Sequence, residues 1–114
     1  MNKSYFAIVR ELLSEIEKTQ TENINAAARI VAETIKNDGL VYIFGCGHSH
    51  IVAEDAFYRA GGLANVYPVF RPELMLHESA SKSSVLEKDE KNAAGLLDKY
   101  NFTRNDCFEV ISTP

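Results

Sequence analysis

A loop of small residues follows an apolar run in the middle of the chain: residues 40–44 read LVYIF and residues 45–50 read GCGHSH. A glycine loop that leaves a strand and opens a helix exposes free backbone N–H groups, which suit a phosphate group. Ser49 at the predicted helix start can cap the helix or donate its hydroxyl to a phosphate oxygen. The pattern predicts that Gly45, Gly47 and Ser49 form an anion-binding loop, in which His48 lies between Gly47 and Ser49 and His50 follows directly. A plain strand-to-helix turn is the alternative.

His48 and His50 offer a second kind of chemistry because they are separated by a single residue. This spacing can place both imidazoles on one side of a loop or strand, which suits zinc or a similar metal. A third ligand would have to come from Glu54, Asp55, His77 or Glu78. A metal-dependent hydrolase that uses His48 and His50 is therefore one alternative function. The favoured hypothesis is that the two histidines line a ligand site and bind no metal.

The segment PELMLHES, residues 72–79, carries the other candidate groups. Glu73 and His77 stand four residues apart, which is the spacing of one helical face, and Glu78 follows directly. A histidine and a carboxylate close to a phosphate loop could transfer protons at a sugar carbonyl. We therefore predict a general base at His77 or Glu78, with a solvated acidic turn as the alternative. Arg59 and Arg71 could each pair with a phosphate, although a surface salt bridge is the prediction for both.

The glycine loop does not match the two common nucleotide-binding motifs. A dinucleotide loop needs a third glycine and an acidic residue near the end of the second strand. Here position 50 is histidine, and the second predicted strand ends in Phe70 and Arg71. The Walker pattern G-x-x-x-x-G-K-[ST] is also absent. Nucleotide binding of either type is therefore not predicted.

Apolar periodicity and turn residues predict the elements that position these groups. A helix runs from about Tyr5 to Ile35, in one piece or in two pieces joined at the polar patch KTQTEN, and Gly39 is predicted to take a left-handed cap position. A capping box at 84–87 predicts a helix to about residue 100. The other predictions are strands over 40–44, 65–70 and 106–113, a helix over 50–62, and a loop or helical turn over 71–84. Alternating helices and strands predict right-handed crossovers and a parallel sheet.

Composition and charge narrow the range of partners and compartments. The 114 residues carry a net charge of −4, so the basic surface that nucleic-acid binding requires is absent, and no nucleic-acid partner is predicted. No apolar run approaches the roughly 18 residues of a membrane span, and the N-terminus mixes both charge signs, unlike a signal peptide. Cys46 and Cys107 form no C-x-x-C motif. A cytoplasmic protein without disulfides or a membrane partner is predicted.

Three stretches together resemble the sugar isomerase (SIS) domain family: LVYIFGCGHSHIVAEDAFYRAGG, PVFRPELMLHES and a strand that ends in VIST. The likeness is most specific at FGCGHSH and LMLHES, and it is closest to uncharacterised SIS proteins labelled as phosphoheptose or phosphosugar isomerases. A looser likeness to arabinose 5-phosphate isomerases involves a G-x-G-x-S loop and a P-A-E-A-L-H-G-D segment. The residues that match these two motifs are Gly45, Gly47, Ser49, Pro72, Glu73 and His77.

The resemblance implies a three-layer α/β fold of the flavodoxin-like type, in which helices flank a parallel sheet. Here it implies a partial sheet with a long N-terminal helix. Residues 1–114 would form one SIS-like domain, with residues 1–38 as a helical segment within it. The chain resembles the N-terminal half of a SIS protein only. The family's second phosphate loop, Ser-x-Ser-Gly, would begin at Ser112, where this chain reads STP.

The resemblance also implies a function. SIS isomerases bind sugar phosphates at the carboxyl ends of their strands, act as dimers or tetramers, and move a proton through an enediol without a redox cofactor. The chain is therefore predicted to bind a sugar phosphate, as an aldose–ketose isomerase or a truncated form of one, in a homo-oligomer. A non-catalytic sensing module and an inactive fragment that dimerises through its first helix are alternatives. The predicted catalytic residues are Glu78, His77 and His50; the predicted substrate-binding residues are Gly45, Gly47, His48, Ser49, His50, Glu73 and Ser112.

Overall fold

The short apolar run after the first helix forms the centre of a three-stranded sheet. In the computed structural model, which describes residues 3–112, β1 (Val41–Gly45) lies between β2 (Val66–Val69) and β3 (Cys107–Ile111). Both pairings are parallel, with Val41 opposite Val66 on one side and Cys107 on the other. Most of β1 is buried, as its uninterrupted apolar sequence predicts for an inner parallel strand. The predicted parallel α/β sheet is confirmed.

The N-terminal helix α1 runs without interruption from Tyr5 to Lys36. The polar patch does not break it, because the Thr19 hydroxyl donates to the Glu15 carbonyl at 2.8 Å and the Thr21 hydroxyl donates to the Glu17 carbonyl. These bonds to the preceding helical turn satisfy both hydroxyls within the helix. Of the two predicted forms, the single long helix is the one observed.

The end of α1 differs from the prediction in the residue that takes the left-handed conformation. Asp38 has φ 56°, and Gly39 is not among the residues with positive φ. Asp tolerates this region better than most residues because its short side chain is polar. Gly39 is needed for a different reason: a Cβ there would lie 2.0 Å from the Asn105 carbonyl oxygen. The prediction of a left-handed Gly39 was wrong.

Helix α2 (His50–Ala56) is shorter than the predicted helix over 50–62. The chain turns immediately after it, with Tyr58 at φ 51° and Gly61 at φ 76°. The backbone N–H of Gly62 donates to the Arg59 carbonyl at 2.9 Å, which closes this turn. The pair of glycines therefore belongs to a turn that begins several residues earlier than predicted.

The connection between β2 and β3 was predicted incorrectly. Helix α3 (Leu76–Leu86) begins before the proposed capping box, and Ser84 lies inside it, where its hydroxyl donates to the Ala80 carbonyl at 3.1 Å. The short helix α4 (Glu90–Ala93) is capped by Asp89, which accepts from the Lys91 backbone N–H at 3.0 Å. The polar run over 87–92 has no apolar stripe to pack against a core, so a long helix is not stabilised there.

The chain divides into two compact units, one up to Glu33 and one from Thr34 onward. The first consists of most of α1; the second holds the sheet, its connections and every predicted site residue. Thr113, the last residue of the predicted third strand, and Pro114 lie outside the described residues, as do the first two residues of the helical segment. Over residues 3–112, no helix has the length and apolar character to cross a membrane. The buried apolar core is Val41, Tyr42, Ile43, Ala53, Val66, Val69, Leu74 and Met75.

Candidate functional site

The strand order β2–β1–β3 creates a topological switch point at the carboxyl end of the sheet. The chain leaves β1 toward β2 on one side and returns past β1 to β3 on the other side. In open parallel sheets, ligands bind outside the carboxyl ends of the strands at such a point. A cleft of about 320 Å³ lies between the ends of β1 and β3, and we call it the switch-point cleft. It is lined by Phe44, Cys46, Ser49, Glu87, Lys88, Val110, Ile111 and Ser112.

Two serines from neighbouring strand ends line the switch-point cleft. Ser49 follows β1 and Ser112 follows β3, and both were predicted as ligand-binding residues. Ser49 directly precedes α2, yet its hydroxyl makes no capping hydrogen bond with that helix. The Ser49 side chain is therefore not used to begin α2, which was one of its two predicted roles.

Lys88 is a residue of the cleft that the sequence did not single out. It supplies a positive charge next to Glu87, and both follow α3. Cys46 lies in the same cleft, where burial and, to a smaller extent, the Glu87 charge raise the pKa of its thiol. Nothing in the run EKDEK distinguishes Lys88 from Lys91, because only the return of the chain from β2 to β3 brings one of them to the cleft.

Both glycines of the GCGHSH loop are required by its geometry. Gly47 has φ 51°, a conformation that costs an L-residue about 1–2 kcal/mol. Gly45 lies against the next turn of the chain, where a Cβ would approach the Ser49 backbone carbon to 2.6 Å and its oxygen to 2.7 Å. The loop contains a single 3₁₀ turn over Gly47–Ser49 before α2 begins. The seven-residue α2 thus starts after this turn and not directly at the end of β1.

His50 is held by contacts within the chain. Its Nδ1 donates to the carbonyl of Gly47, and its Nε2 lies 3.5 Å from a carboxylate oxygen of Glu54. The ring packs edge-on against Phe70 with 6.0 Å between centroids. By contrast, His48 is exposed to solvent. The two histidines therefore have different environments although only one residue separates them.

A second cleft of about 230 Å³ lies on the α2 side of the loop. It brings together the three predicted catalytic residues, His50, His77 and Glu78. His77 Nε2 lies 3.7 Å from Glu78 Oε1, and their side chains are 71% and 58% exposed. The other residues of this second cleft are Glu54, Phe70, Pro72 and Met75.

Glu73 does not share a helical face with His77, so that prediction was wrong. Pro72–Leu74 form a separate 3₁₀ turn, and Met75 is extended with ψ 134° before α3 begins. The Glu73 carboxylate accepts from Nε of Arg71 at 2.7 Å and also from its Nη2. This hydrogen bonding to Arg71 lowers the pKa of Glu73.

Both arginines form the predicted salt bridges, which lie on the surface for Arg59 as predicted but are partly buried for Arg71. Arg71 pairs with Glu73, and its Nη1 donates to the Gly95 carbonyl at 3.2 Å. Arg59 pairs with Asp55, four residues earlier. Both guanidinium groups are therefore engaged by carboxylates of the chain, and neither arginine is among the residues that line the switch-point cleft.

Metal-ligating side chains do not converge in the part of the chain that the structure describes. Across residues 3–112, no group of three or more His, Cys, Asp or Glu side chains is arranged to hold a metal ion. His50 uses Nδ1 for the Gly47 carbonyl, and His48 is exposed. The hydrolase alternative therefore has no ligand set among these residues.

The parallel sheet, its flanking helices and a cleft at its switch point define an α/β ligand-binding domain. Residues 4–114 match the SIS domain family, so the chain belongs to that family. SIS domains are phosphosugar-binding domains, and the predicted resemblance is confirmed.

Similar proteins occur in several bacteria. A UPF0309 protein of Geobacillus thermodenitrificans is 42% identical over 113 residues, which cover 99% of this chain and 45% of that protein. UPF0309 proteins of Geobacillus sp. strain WCH70 and of Listeria innocua are 44% and 42% identical, also over 99% of this chain and over 46% of each relative. The chain therefore spans about half the length of the curated relatives it matches.

Proposed function

We propose that this chain binds the phosphate group of a sugar phosphate in the switch-point cleft. The observation that supports this most directly is that Ser49 and Ser112, from the ends of adjacent strands, line the same cleft. Hydroxyl groups donate to phosphate oxygens, and Lys88 adds a charge-assisted donor of the required sign. Membership of the SIS domain family supports a sugar phosphate as the class of ligand.

The dimensions of the site also favour a small ligand. A cleft of about 320 Å³ falls at the lower end of the range for small-molecule sites, roughly 300–1,000 Å³. Ser49 lines this cleft and the adjacent His50 lines the second one, so the two clefts flank one loop. We place the phosphate at Ser49 and the sugar carbons toward His77 and Glu78.

The reaction we propose for the whole protein is aldose–ketose isomerisation. Glu78 or His77 acts as the base that removes the proton from the carbon next to the carbonyl, which forms an enediol. Return of that proton to the neighbouring carbon gives the isomeric sugar phosphate, so no electrons leave the substrate. His48, which is exposed within the loop, assists ring opening as an acid. Gly45 and Gly47 shape the loop, and Glu73 contributes by fixing Arg71.

A non-catalytic sensing module is the second candidate, and the exposure of the proposed base supports it. Glu78 and His77 are 58% and 71% exposed, whereas proton transfer in enzymes usually takes place in a site that excludes water. Under this alternative the chain binds the sugar phosphate and leaves it unchanged.

We also propose that the protein is a homodimer or homotetramer. Helix α1 carries large apolar side chains that are about half exposed or more, and burial of such a stripe against another copy would remove it from water. The mass from light scattering during size-exclusion chromatography tests this, and a monomeric mass at micromolar concentration would contradict it. The exposed apolar residues of α1 are Tyr5, Phe6, Ile8, Leu12, Leu13, Ile16, Ile24 and Ile30.

The binding proposal is tested by thermal melts of the chain with ribose 5-phosphate, glucose 6-phosphate, fructose 6-phosphate and inorganic phosphate. A ligand that binds only the folded state raises the melting temperature saturably. We expect Ser49→Ala and Lys88→Gln each to weaken the response about tenfold in apparent Kd, since each removes one phosphate contact. Lys91→Gln, an exposed lysine on α4, is the matched control and should bind like the parent. A cooperative melt that no sugar phosphate shifts would contradict the proposal.

Glu78→Gln separates the two candidate functions, because it removes the base and keeps the size of the side chain. If the protein is an isomerase, turnover falls by at least about a hundredfold while the melting shift with sugar phosphate remains. If it is a sensing module, the parent interconverts no sugar phosphate and the variant binds as the parent does. Exchange of the substrate C–H proton with deuterated water, followed by NMR, detects the enediol directly.

A further inference from the structure

We propose that His50 is a positioning residue: its imidazole holds the turn that presents Ser49 to the switch-point cleft. From the sequence, His50 is predicted to contact the substrate, since it lies next to the glycine loop. In the structure, however, the imidazole contacts the loop itself. The effect on ligand binding rests on the proposed function, whereas the effect on the turn does not.

The imidazole and the backbone of His50 act on the same carbonyl. The backbone N–H of His50 faces the carbonyl of Gly47 and closes the 3₁₀ turn over Gly47–Ser49. The Nδ1 of the same residue donates to that carbonyl as well. A carbonyl oxygen only accepts, so Nδ1 carries the proton of this bond. The side chain therefore adds a second bond to the group that the turn already uses.

The ring cannot easily leave this position. The His50 side chain is only 13% exposed, its ring forms a T-shaped pair with Phe70 just after β2, and its Nε2 lies 3.5 Å from a carboxylate oxygen of Glu54 one helical turn later. One side chain thus connects the loop after β1, the end of β2 and helix α2. These contacts leave neither ring nitrogen directed into the switch-point cleft, which is lined by Ser49 instead.

The turn needs such support because its own hydrogen bonding is weak. A 3₁₀ turn of three residues has poorer hydrogen-bond geometry than an α-helix. In addition, Gly47 at φ 51° has no side chain to restrict its backbone. The Ser49 N–H donates to the Cys46 carbonyl at 3.0 Å inside this turn. Opening of the turn would therefore release that N–H and move the Ser49 hydroxyl away from its place in the cleft.

The test uses three variants of the 114-residue chain. His50→Asn places an amide donor at the position of Nδ1 and keeps the bond to the Gly47 carbonyl. His50→Leu keeps the apolar contact with Phe70 and removes the donor. Asp55→Asn changes the neighbouring exposed carboxylate of α2, which pairs with Arg59 and not with His50, so it serves as the matched control.

Two measurements are made on each variant. The first is hydrogen exchange of the Ser49 backbone amide by NMR, together with the amide chemical shifts over 46–49. The second is the apparent Kd for fructose 6-phosphate and for inorganic phosphate from the melting shift. For His50→Leu we expect exchange at Ser49 to become about tenfold faster and Kd to rise about tenfold, which corresponds to one lost hydrogen bond. His50→Asn and Asp55→Asn should stay within about threefold of the parent in both measurements.

Each result decides the matter. Rescue by His50→Asn together with loss in His50→Leu supports the proposal. If His50→Asn loses as much as His50→Leu, the imidazole itself is required and the positioning role is overturned. Unchanged exchange at Ser49 in His50→Leu overturns it as well. If the parent binds none of the probes, the proposed function fails, and the amide exchange and chemical shifts alone still support or overturn the role of His50 in the turn.

Discussion

Gly45 lies directly against Ser49 in the candidate site, which makes Gly45→Ala a sharp test of the loop. A Cβ on residue 45 would lie 2.6 Å from the backbone carbon of Ser49, 2.7 Å from its oxygen and 2.8 Å from its Cβ. Ordinary van der Waals contact begins at 3.4 Å. The Ser49 backbone must therefore move by about 0.8 Å, because backbone atoms cannot rotate out of the way.

The size of the effect follows from two opposing terms. Overpacking of this kind destabilises a folded protein by about 1–3 kcal/mol. Alanine also lowers the conformational entropy of the unfolded chain, which stabilises the folded state by about 0.4–1 kcal/mol at a position without positive φ. We expect Gly45→Ala to lower the free energy of unfolding by about 1–2 kcal/mol in urea denaturation followed by circular dichroism. The displaced Ser49 should also weaken sugar phosphate binding about tenfold.

Gly61→Ala provides the matched control. Gly61 has φ 76°, and no atom lies within 4 Å of the position of an added Cβ, so the variant is strained but not crowded. Gly61→Ala should lose about 1 kcal/mol of stability from the left-handed conformation and bind sugar phosphate like the parent. A Gly45→Ala chain that is as stable as the parent, and binds as well, would refute this account of the loop.

Three further predictions concern stability. Ser83 is fully buried and its hydroxyl donates to the Leu74 carbonyl at 2.7 Å, so Ser83→Ala should lower the free energy of unfolding by about 1–3 kcal/mol in urea denaturation. Ser84→Ala, at the neighbouring exposed position, should stay within about 0.5 kcal/mol of the parent, and equal losses in the two variants would contradict this prediction. Val69→Ala leaves a cavity at a fully buried position of β2 and should lower the free energy of unfolding by about 2–3 kcal/mol. An unchanged melting temperature would contradict the close packing of Val69 in the core. Hydrogen bonds from two backbone N–H groups lower the pKa of Asp106, so its contribution to stability is present above the ordinary value of about 3.9 and is lost as the pH falls through the lower folded pKa. As the pH is lowered from 6 to 2.5, the difference in denaturation midpoint between the parent and Asp106→Asn should therefore become smaller. A difference that stays constant with pH would contradict the linkage.

Much of the sheet could be predicted from local sequence. The run LVYIF is apolar throughout and lies between glycines, which specifies a strand buried on both faces whatever surrounds it. The alternation of helical and strand patterns then specified a parallel sheet, because parallel strands need crossover connections. The positions of Ser49 and Ser112 after β1 and β3 could be predicted for the same reason, since each follows a strand that the sequence marks clearly, whereas their role in ligand binding stays a prediction.

The connection between β2 and β3 could not be predicted in this way. Its residues are polar, and two capping signals compete there: Ser84 with Glu87 fits a capping box, but Asp89 caps the helix that forms. Ser84 lies inside α3 because Ser83, next to it, is buried and bonded to the Leu74 carbonyl. Tertiary packing therefore overrode the local signal.

The sequence by itself determined the elements that carry a strong apolar pattern and the residue types that could meet a phosphate. Only the tertiary structure decided which of these groups share a cleft. It brought Lys88 to the switch point, paired Arg71 with Glu73, and directed the ring of His50 to the Gly47 carbonyl. The physical reason is that local sequence sets backbone conformation, whereas the position of a side chain in a site depends on the order of the strands and on how distant segments pack.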